Sequence, residues 1–286
     1  MTGQERYRTV RAKRESLRAG WREKASALAP TLPVQMPPEG VPFIDIIVPT
    51  MDNKDKLVPF IATLIDHTEA PDNLYRVKII NNGTPGYVDR IMGKHPWVEV
   101  IETGGKNLGW EGAIQLGATL SKAPILGMMN DDLHIVPGNP LWLKTLMDSF
   151  WLFPKVGSVG PCSNVVMQRQ NMFYLGLDPK AYYTSLLIGF CVLYRRDLYD
   201  IIGGIATGLP GGDDLDLSIK VEQAGFHPVM RRDVFVYHHG FSTGTRLHGE
   251  YWNSLDMQEK TRLALTRMHG TRAFLRCMNS MVEEIK

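Results

Sequence analysis

Short apolar runs alternate with amphipathic stretches through the middle of this chain, and the alternation predicts its elements. Phe43-Ile44-Asp45-Ile46-Ile47-Val48 reads as a strand stopped by Pro49. From about Lys54 to Thr68, Leu57, Phe60, Ile61, Leu64 and Ile65 share one face at helical spacing. Arg76 to Ile80 and Val98 to Glu102 read as further strands, the first running into the turn-forming Asn81-Asn82-Gly83-Thr84-Pro85. A helix over about 110–121 precedes a strand from Pro124 to Met129. Such strand–helix alternation predicts an α/β fold, with a mostly parallel sheet covered by helices on both faces.

The rest of the chain is less regular. Leu141 to Phe153 reads as a helix, Val156 to Val159 as a short strand, and 163–185 as loop-rich. Leu186 to Tyr194 reads as a strand, Asp213 to Ala224 as a helix, and Val229 and Val234 to Tyr237 as short strands. A terminal helix is expected over 252–279, with a break near Gly270. At the other end, 4–28 reads as a charged helix, followed by the proline-rich 29–42, a stiff extended linker. The expected organisation is an N-terminal arm and linker (1–42), one catalytic domain (43–250) and a C-terminal helical extension (251–286).

Composition narrows the class. The 286 residues suit one large α/β domain with appendages, and no apolar run approaches the roughly 18–20 residues that span a bilayer. Met1 to Lys24 is too polar for a secretory signal. Cys162, Cys191 and Cys277 stand far apart among apolar residues, without zinc spacing or a disulfide framework, so a cytoplasmic location fits. Net charge is only +2, but Arg6, Arg8, Arg11, Lys13, Arg14, Arg18, Arg22 and Lys24 face just Glu5, Glu15 and Glu23. That stretch is either a solvated helix or an arm for phosphate or an anionic, peripheral membrane surface.

Three polar clusters carry candidate chemistry, each near an apolar run: Asn130-Asp131-Asp132, Gly212-Asp213-Asp214-Leu215-Asp216, and His238-His239. Carboxylates and imidazoles at strand ends lie where open α/β sheets bind ligands. A carboxylate and a histidine together can hold a divalent metal, and another aspartate can act as a general base. Each cluster also has a plain reading: Asn-Asp-Asp suits a turn, and aspartates suit a helix start. Three aspartates within four residues behind Gly211-Gly212 exceed what capping requires. Gly104-Gly105-Lys106-Asn107-Leu108-Gly109 precedes a helix and is equally well a phosphate-facing loop or a glycine turn.

Taken in order, these segments resemble the family-2-like glycosyltransferases of the GT-A fold over roughly residues 43–245. Ile46-Ile47-Val48-Pro49-Thr50 resembles the opening strand, which implies donor contacts at Pro49, Thr50 and Asp52. Ile80-Asn81-Asn82-Gly83-Thr84 is similar to the second strand and turn, with Asn81 where the family often has an aspartate that reads the base. Asn107-Leu108-Gly109-Trp110 resembles the segment beside the donor diphosphate and sugar. Met129-Asn130-Asp131-Asp132 resembles the D-x-D region, implying Asp132 as metal ligand with Asn130 and Asp131 near the donor. Gly189-Phe190-Cys191 to Ile202-Gly203-Gly204 resembles the stretch before the acceptor site, although Ile205-Ala206-Thr207 departs from the family's usual Phe-Asp-Glu. Gly212-Asp213-Asp214-Leu215-Asp216-Leu217 is similar to Gly-Glu-Asp-x-Asp-Leu, implying Asp214 as base, with Gly211, Gly212 and Asp213 on the acceptor side. Val236-Tyr237-His238-His239-Gly240 resembles the closing segment, with His238 the better match to its metal ligand.

The resemblance implies an inverting hexosyl- or pentosyltransferase that uses Mn²⁺ or Mg²⁺ and a nucleotide-diphosphate sugar. Thr243 and Arg246 are placed to fold over the phosphates. Acceptors left open are a glycan, a lipid-linked glycan, a protein, a small molecule, or nucleic acid such as a modified viral DNA base. A nucleotidyltransferase and a non-catalytic binding module are the alternative readings. The apolar residues Leu263, Leu265, Met268, Phe274, Leu275 and Met278 of the terminal helix suit core packing or a homodimer.

Overall fold

The computed structural model describes residues 3–32, 37–70, 73–175, 180–240, 249 and 254–285. Thr243 and Arg246 lie outside them. A long helix, α1 (Gly3–Ser26), precedes strand β1 (Ile44–Thr50), helix α2 (Lys54–Asp66), β2 (Tyr75–Asn81), a short α3 (Tyr87–Met92) and β3 (Val98–Glu102). Helix α4 (Gly109–Leu120), β4 (Ile125–Met129), β5 (Leu133–His134) and α5 (Trp142–Leu152) follow. Then come β6 (Val156–Cys162), α6 (Met172–Leu175), β7 (Ala181–Thr184), β8 (Cys191–Arg195) and α7 (Arg196–Ile201). The chain continues through α8 (Asp213–Gln223), β9 (His227–Phe235), β10 (Tyr237–His238), α9 (Leu255–His269), α10 (Thr271–Met278) and β11 (Val282–Glu284).

Nine strands form one sheet in the order β11-β7-β9-β6-β8-β4-β1-β2-β3. All but two, β7 and β8, run in one direction, so the strands are mostly parallel as expected. Side chains alternate between the faces: Ile44, Ile46 and Val48 of β1 pack against α2, α3 and α5, while Ile47 joins the core shared by α1, α4, α7 and α8. Gly117 lets α4 lie close on the sheet, because a Cβ there would stand 2.5 Å from Ile47 Cγ2. Leu215 and Ile219 of α8 turn away from the sheet to pack on Leu265 of α9 and Phe274 of α10.

Several boundaries differ from the sequence expectation, each for a local reason. Strand β1 runs through Pro49 to Thr50. Ile44 N–H bonds Leu74 O and Thr50 O accepts from Asn82 N, so even-numbered residues face β2 and Pro49 faces β4. The last β1–β4 pair is Ile47–Met128, so the missing amide removes no ladder bond. The apolar 186–190 is buried but not strand: Leu187 N–H bonds Ser218 Oγ and Ile188 N–H bonds Gln170 Oε1. The two short strands expected near 229 and 234 are one strand, β9, whose pairing with β6 shifts register between Pro161 and Cys162. The terminal helix breaks at Gly270, where φ is +85°. The chain then adds β11 to the sheet edge beside β7, an element with no sequence signal.

Candidate active site

The carboxyl ends of β1, β2 and β4 lie side by side, and their polar residues are knitted together. Asp131 is buried beyond β4; its Oδ2 accepts from Thr50 Oγ1 at 2.7 Å and its Oδ1 from Asn53 Nδ2 at 3.0 Å. Asp131 therefore locks the end of β1 to the end of β4. Asp52, at φ +51°, accepts from both the amide and the hydroxyl of Thr84 at 2.9 and 3.0 Å. Its carboxylate occupies the space of a Cβ on Gly83, which would stand 2.4 Å from Oδ1, so the turn after β2 requires glycine.

Asn81 is fully buried, and its amide is taken up by the protein: Nδ2 donates to Thr84 O and to Glu102, while Oδ1 accepts from Gly83 N. In this structure its side chain shapes the turn after β2. Asn82 reaches across to the next loop, donating to Gly109 O and accepting from Leu108 N at 3.1 and 3.3 Å. That loop turns on Gly104, Gly105 and Gly109, all at positive φ, and the exposed Asn107 closes it by accepting from Gly109 N at 2.8 Å. Local turn chemistry thus presents Asn107 and Trp110 beside the ends of β1 and β2.

A second strand pair brings Asp132 and His238 together. Strands β5 and β10 pair antiparallel with His238 opposite Leu133, the residue after Asp132. His238 Nε2 lies 3.3 Å from Asp132 Oδ1 and 3.1 Å from Asn130 Nδ2. On the far side of the ring, Nδ1 lies 2.8 Å from Val165 O, an arrangement that puts the proton on Nδ1 and leaves Nε2 a lone pair. Asn164 holds the His238 backbone from both sides, and the ring stacks on Phe190 at 5.3 Å. His239 turns the other way, to Lys56 Nζ at 3.1 Å. Among the described residues no group of three or more His, Cys, Asp or Glu converges on one point. A buried carboxylate and an oriented imidazole still fit a divalent cation that takes its remaining oxygens from a ligand and water.

The third cluster divides. Asp213 and Asp214, half-buried at the start of α8, stand together beside Gly189 and Glu111. Burial, then each other's charge and Glu111, push the Asp213 carboxyl up to about 8, against the Trp110 indole N–H that bonds it. Burial also raises Asp214, opposed by the amides of Leu215 and Gly189. Glu111 is itself raised by burial. Asp216 faces the other way, into a buried ion cluster with His269 and Lys220, each at 2.7 Å. The room beside Gly211 and Gly212 is likewise filled from behind. A Cβ on Gly212 would stand 2.9 Å from Thr261 and one on Gly211 3.0 Å from Met257, both of α9. These glycines let α9 pack closely against the start of α8.

One short segment joins the clusters. Gly189 passes Asp214, and the next residue, Phe190, stacks on His238 while its carbonyl accepts from Asn130 N at 2.9 Å. The carboxylate–imidazole pair and the acidic pair therefore flank the start of β8. Glu111 and Asn53 stand at this site although the motif reading did not single them out, and of the two only Glu111, adjacent to Trp110, carried a sequence hint.

No protein-family model matches the chain. By sequence it is similar to uncharacterized protein y4gI of Sinorhizobium fredii (strain NBRC 101917 / NGR234), 23% identical over 234 residues and 71% of this chain. The chain spans only about a quarter of that relative, 25% of its length. It is also similar to uncharacterized protein Rv1525 of Mycobacterium tuberculosis (strain ATCC 25618 / H37Rv), 26% identical over 196 residues, 64% of this chain and 74% of that protein. Among solved structures it matches the mannosyltransferase PcManGT from Pyrobaculum calidifontis in complex with GDP-Man and Mn²⁺. The TM-score is 0.57 at 15% identity, covering 95% of this chain and 84% of the other. GalNAc-T7 with UDP, GalNAc and Mn²⁺ matches with TM-score 0.55 at 12% identity, over 83% of this chain and 53% of that one. The chain thus has the GT-A fold found in these glycosyltransferases.

Proposed function

We propose that this chain transfers a hexosyl or pentosyl group, with inversion, from a nucleotide-diphosphate sugar to an acceptor hydroxyl. The observation that carries this reading is the placement of the Asp132–His238 pair and the Asp213–Asp214 pair on either side of Gly189-Phe190. The similar solved structures are complexes with GDP-Man and Mn²⁺ and with UDP, GalNAc and Mn²⁺, which supports a nucleotide-sugar donor and a divalent cation. The donor lies over the ends of β1, β2 and β4, where Thr50, Asp52 and Asn82 set the floor and Asn107 and Trp110 the flank. Asp132 and His238 would hold Mn²⁺ or Mg²⁺, which would supply positive charge to offset the negative charge of the diphosphate leaving group.

Asp214 takes the proton of the acceptor hydroxyl as that oxygen attacks the anomeric carbon from the face opposite the diphosphate. A general base of this kind contributes about 10²–10⁴-fold. The Leu215 and Gly189 amides fix the Asp214 carboxylate, and Asp213, held by Trp110, orients the acceptor beside it. Three of the α1 arginines are engaged inside the protein, Arg14 on Thr266 O, Arg18 on His269 O and Arg22 on Gln223 O. That engagement favours a glycan or lipid-linked glycan over nucleic acid as acceptor. No described helix is long and apolar enough to cross a membrane, and three free, buried cysteines suit a reducing cytoplasm.

The test is release of nucleoside diphosphate from a donor panel that includes GDP-mannose and UDP-GalNAc, with Mn²⁺, Mg²⁺ or EDTA. One donor should stabilise the protein only with metal and be slowly hydrolysed, and Asp132→Ala should abolish both effects. Pyrophosphate release would instead identify a nucleotidyltransferase. Silence across the panel would move the reading to a binding module.

A further inference from the structure

Away from this site, α1, α8 and α9 enclose a cleft of about 260 Å³. Arg14 and Arg18 reach it from α1, Lys220 and Gln223 from α8, and His269 from α9. Its carboxylate neighbours are already engaged: Asp216 by Lys220 and His269, Glu15 by Arg11. Arg14, Arg18 and Arg22 follow one another at helical spacing, and burial followed by the charges of Arg14 and Arg22 lowers the Arg18 guanidinium below its ordinary value. Arg14 and Arg18 each give an N–H to a backbone carbonyl, Thr266 O and His269 O, which leaves their positive charge in excess here among the described residues.

The second observation is independent of charge. Gln223 is 8% exposed, and neither its Nε2 nor its Oε1 has a hydrogen-bond partner among the described residues. A buried amide left unsatisfied at both ends opposes stability, and such groups ordinarily find a partner. Its backbone is well used, since the carbonyl accepts from Arg22, so the side chain alone is left over. The remaining walls are apolar, with Leu17 and Met268 at the mouth and Ile202 and Trp21 behind.

We propose that this cleft binds a small amphipathic anion, an oxyanion head on a compact apolar body. The head sits against Arg14 and Arg18 and takes a hydrogen bond from Gln223 Nε2, and the body lies between Leu17 and Met268. Phosphate on a soluble molecule and phosphate on a lipid share this chemistry. The site requires nothing of the transferase reading, and its test does not use transfer activity.

The full chain is titrated calorimetrically with phenyl phosphate, inorganic phosphate and phenol, in saturating UDP and Mn²⁺ to shield the nucleotide site. Phenyl phosphate should bind saturably, at least tenfold tighter than either part alone. Gln223→Leu should weaken it at least threefold while leaving the ligand-free Tm unchanged or higher. Leu17→Trp, which fills the mouth from an exposed position, should abolish it. Sedimentation with phosphatidic acid vesicles that Leu17→Trp prevents would assign the lipid-borne head, and binding confined to phenyl phosphate the soluble one. Phenyl phosphate no tighter than phenol or phosphate, or binding undiminished in both variants, overturns the proposal.

Discussion

Two carboxylate groups on the first turn of α8 meet opposite fates. Asp216 is fully buried between Lys220 and His269, accepts from the Ala206 amide, and is held below the usual carboxylate range by those partners despite its burial. Asp213 and Asp214, three and two positions earlier, face one another and Glu111 with no cation beside them among the described residues, and burial raises both. A paired, saturated carboxylate is a structural joint, here between α8 and α9. An unpaired cluster held against its own repulsion opposes stability and is retained where proton transfer needs it. Burial alone does not tell the two apart; the partners do.

Substitutions at the two ends of this turn should separate chemistry from stability. The largest effect is expected from Asp214→Asn, which removes the proposed base. kcat should fall about 10²–10⁴-fold. Donor binding and Tm should be retained, read by diphosphate release beside a thermal melt. Asp216→Asn is the converse. It leaves Lys220 facing a neutral amide in the interior, and breaking a buried pair on one side costs about 3–5 kcal/mol. Urea unfolding should show that loss as a lowered midpoint, while the folded fraction keeps its turnover within a few-fold. If Asp216→Asn instead abolished kcat at unchanged stability, the division drawn across this turn would fail.

How much of this was legible in the chain follows the range of each interaction. The alternation of strands and helices from 43 to 129 was readable because burial on both sheet faces imposes its own period on nearby residues. The three polar clusters were readable as strand-end and helix-start chemistry. What faced them was not. Asp216 resembles its neighbours until His269, 53 positions later in the chain, arrives to bind it. Nothing local marked Gly211-Gly212 as the place where Met257 and Thr261 of α9 pack. The apolar 186–190 mimicked a strand because burial and pairing leave the same composition, and only Ser218 and Gln170 reveal that side chains satisfy its amides. Long-range partners, not local pattern, decided these cases.

The smallest and most discriminating change is Asp213→Asn, read as pH dependence. A carboxyl whose folded pKa is raised favours the protonated folded state. Its contribution to stability is full below the unfolded value near 4. That contribution is lost as pH climbs through the folded value, about 8 for Asp213. In the proposed mechanism activity runs the other way: a proton left on the pair is shared with Asp214, so the fully ionised pair is the better acceptor. Wild-type kcat should therefore rise toward alkaline pH while Tm falls over the same interval. Removing the Asp213 charge relieves the repulsion that holds a proton on the pair. The kcat limb should move to lower pH and the alkaline fall in Tm should flatten. The same substitution at Asp216 should leave the position of the kcat limb where it was. A limb unmoved by Asp213→Asn would mean that the two carboxylates titrate independently and that the contrast along α8 rests on packing alone.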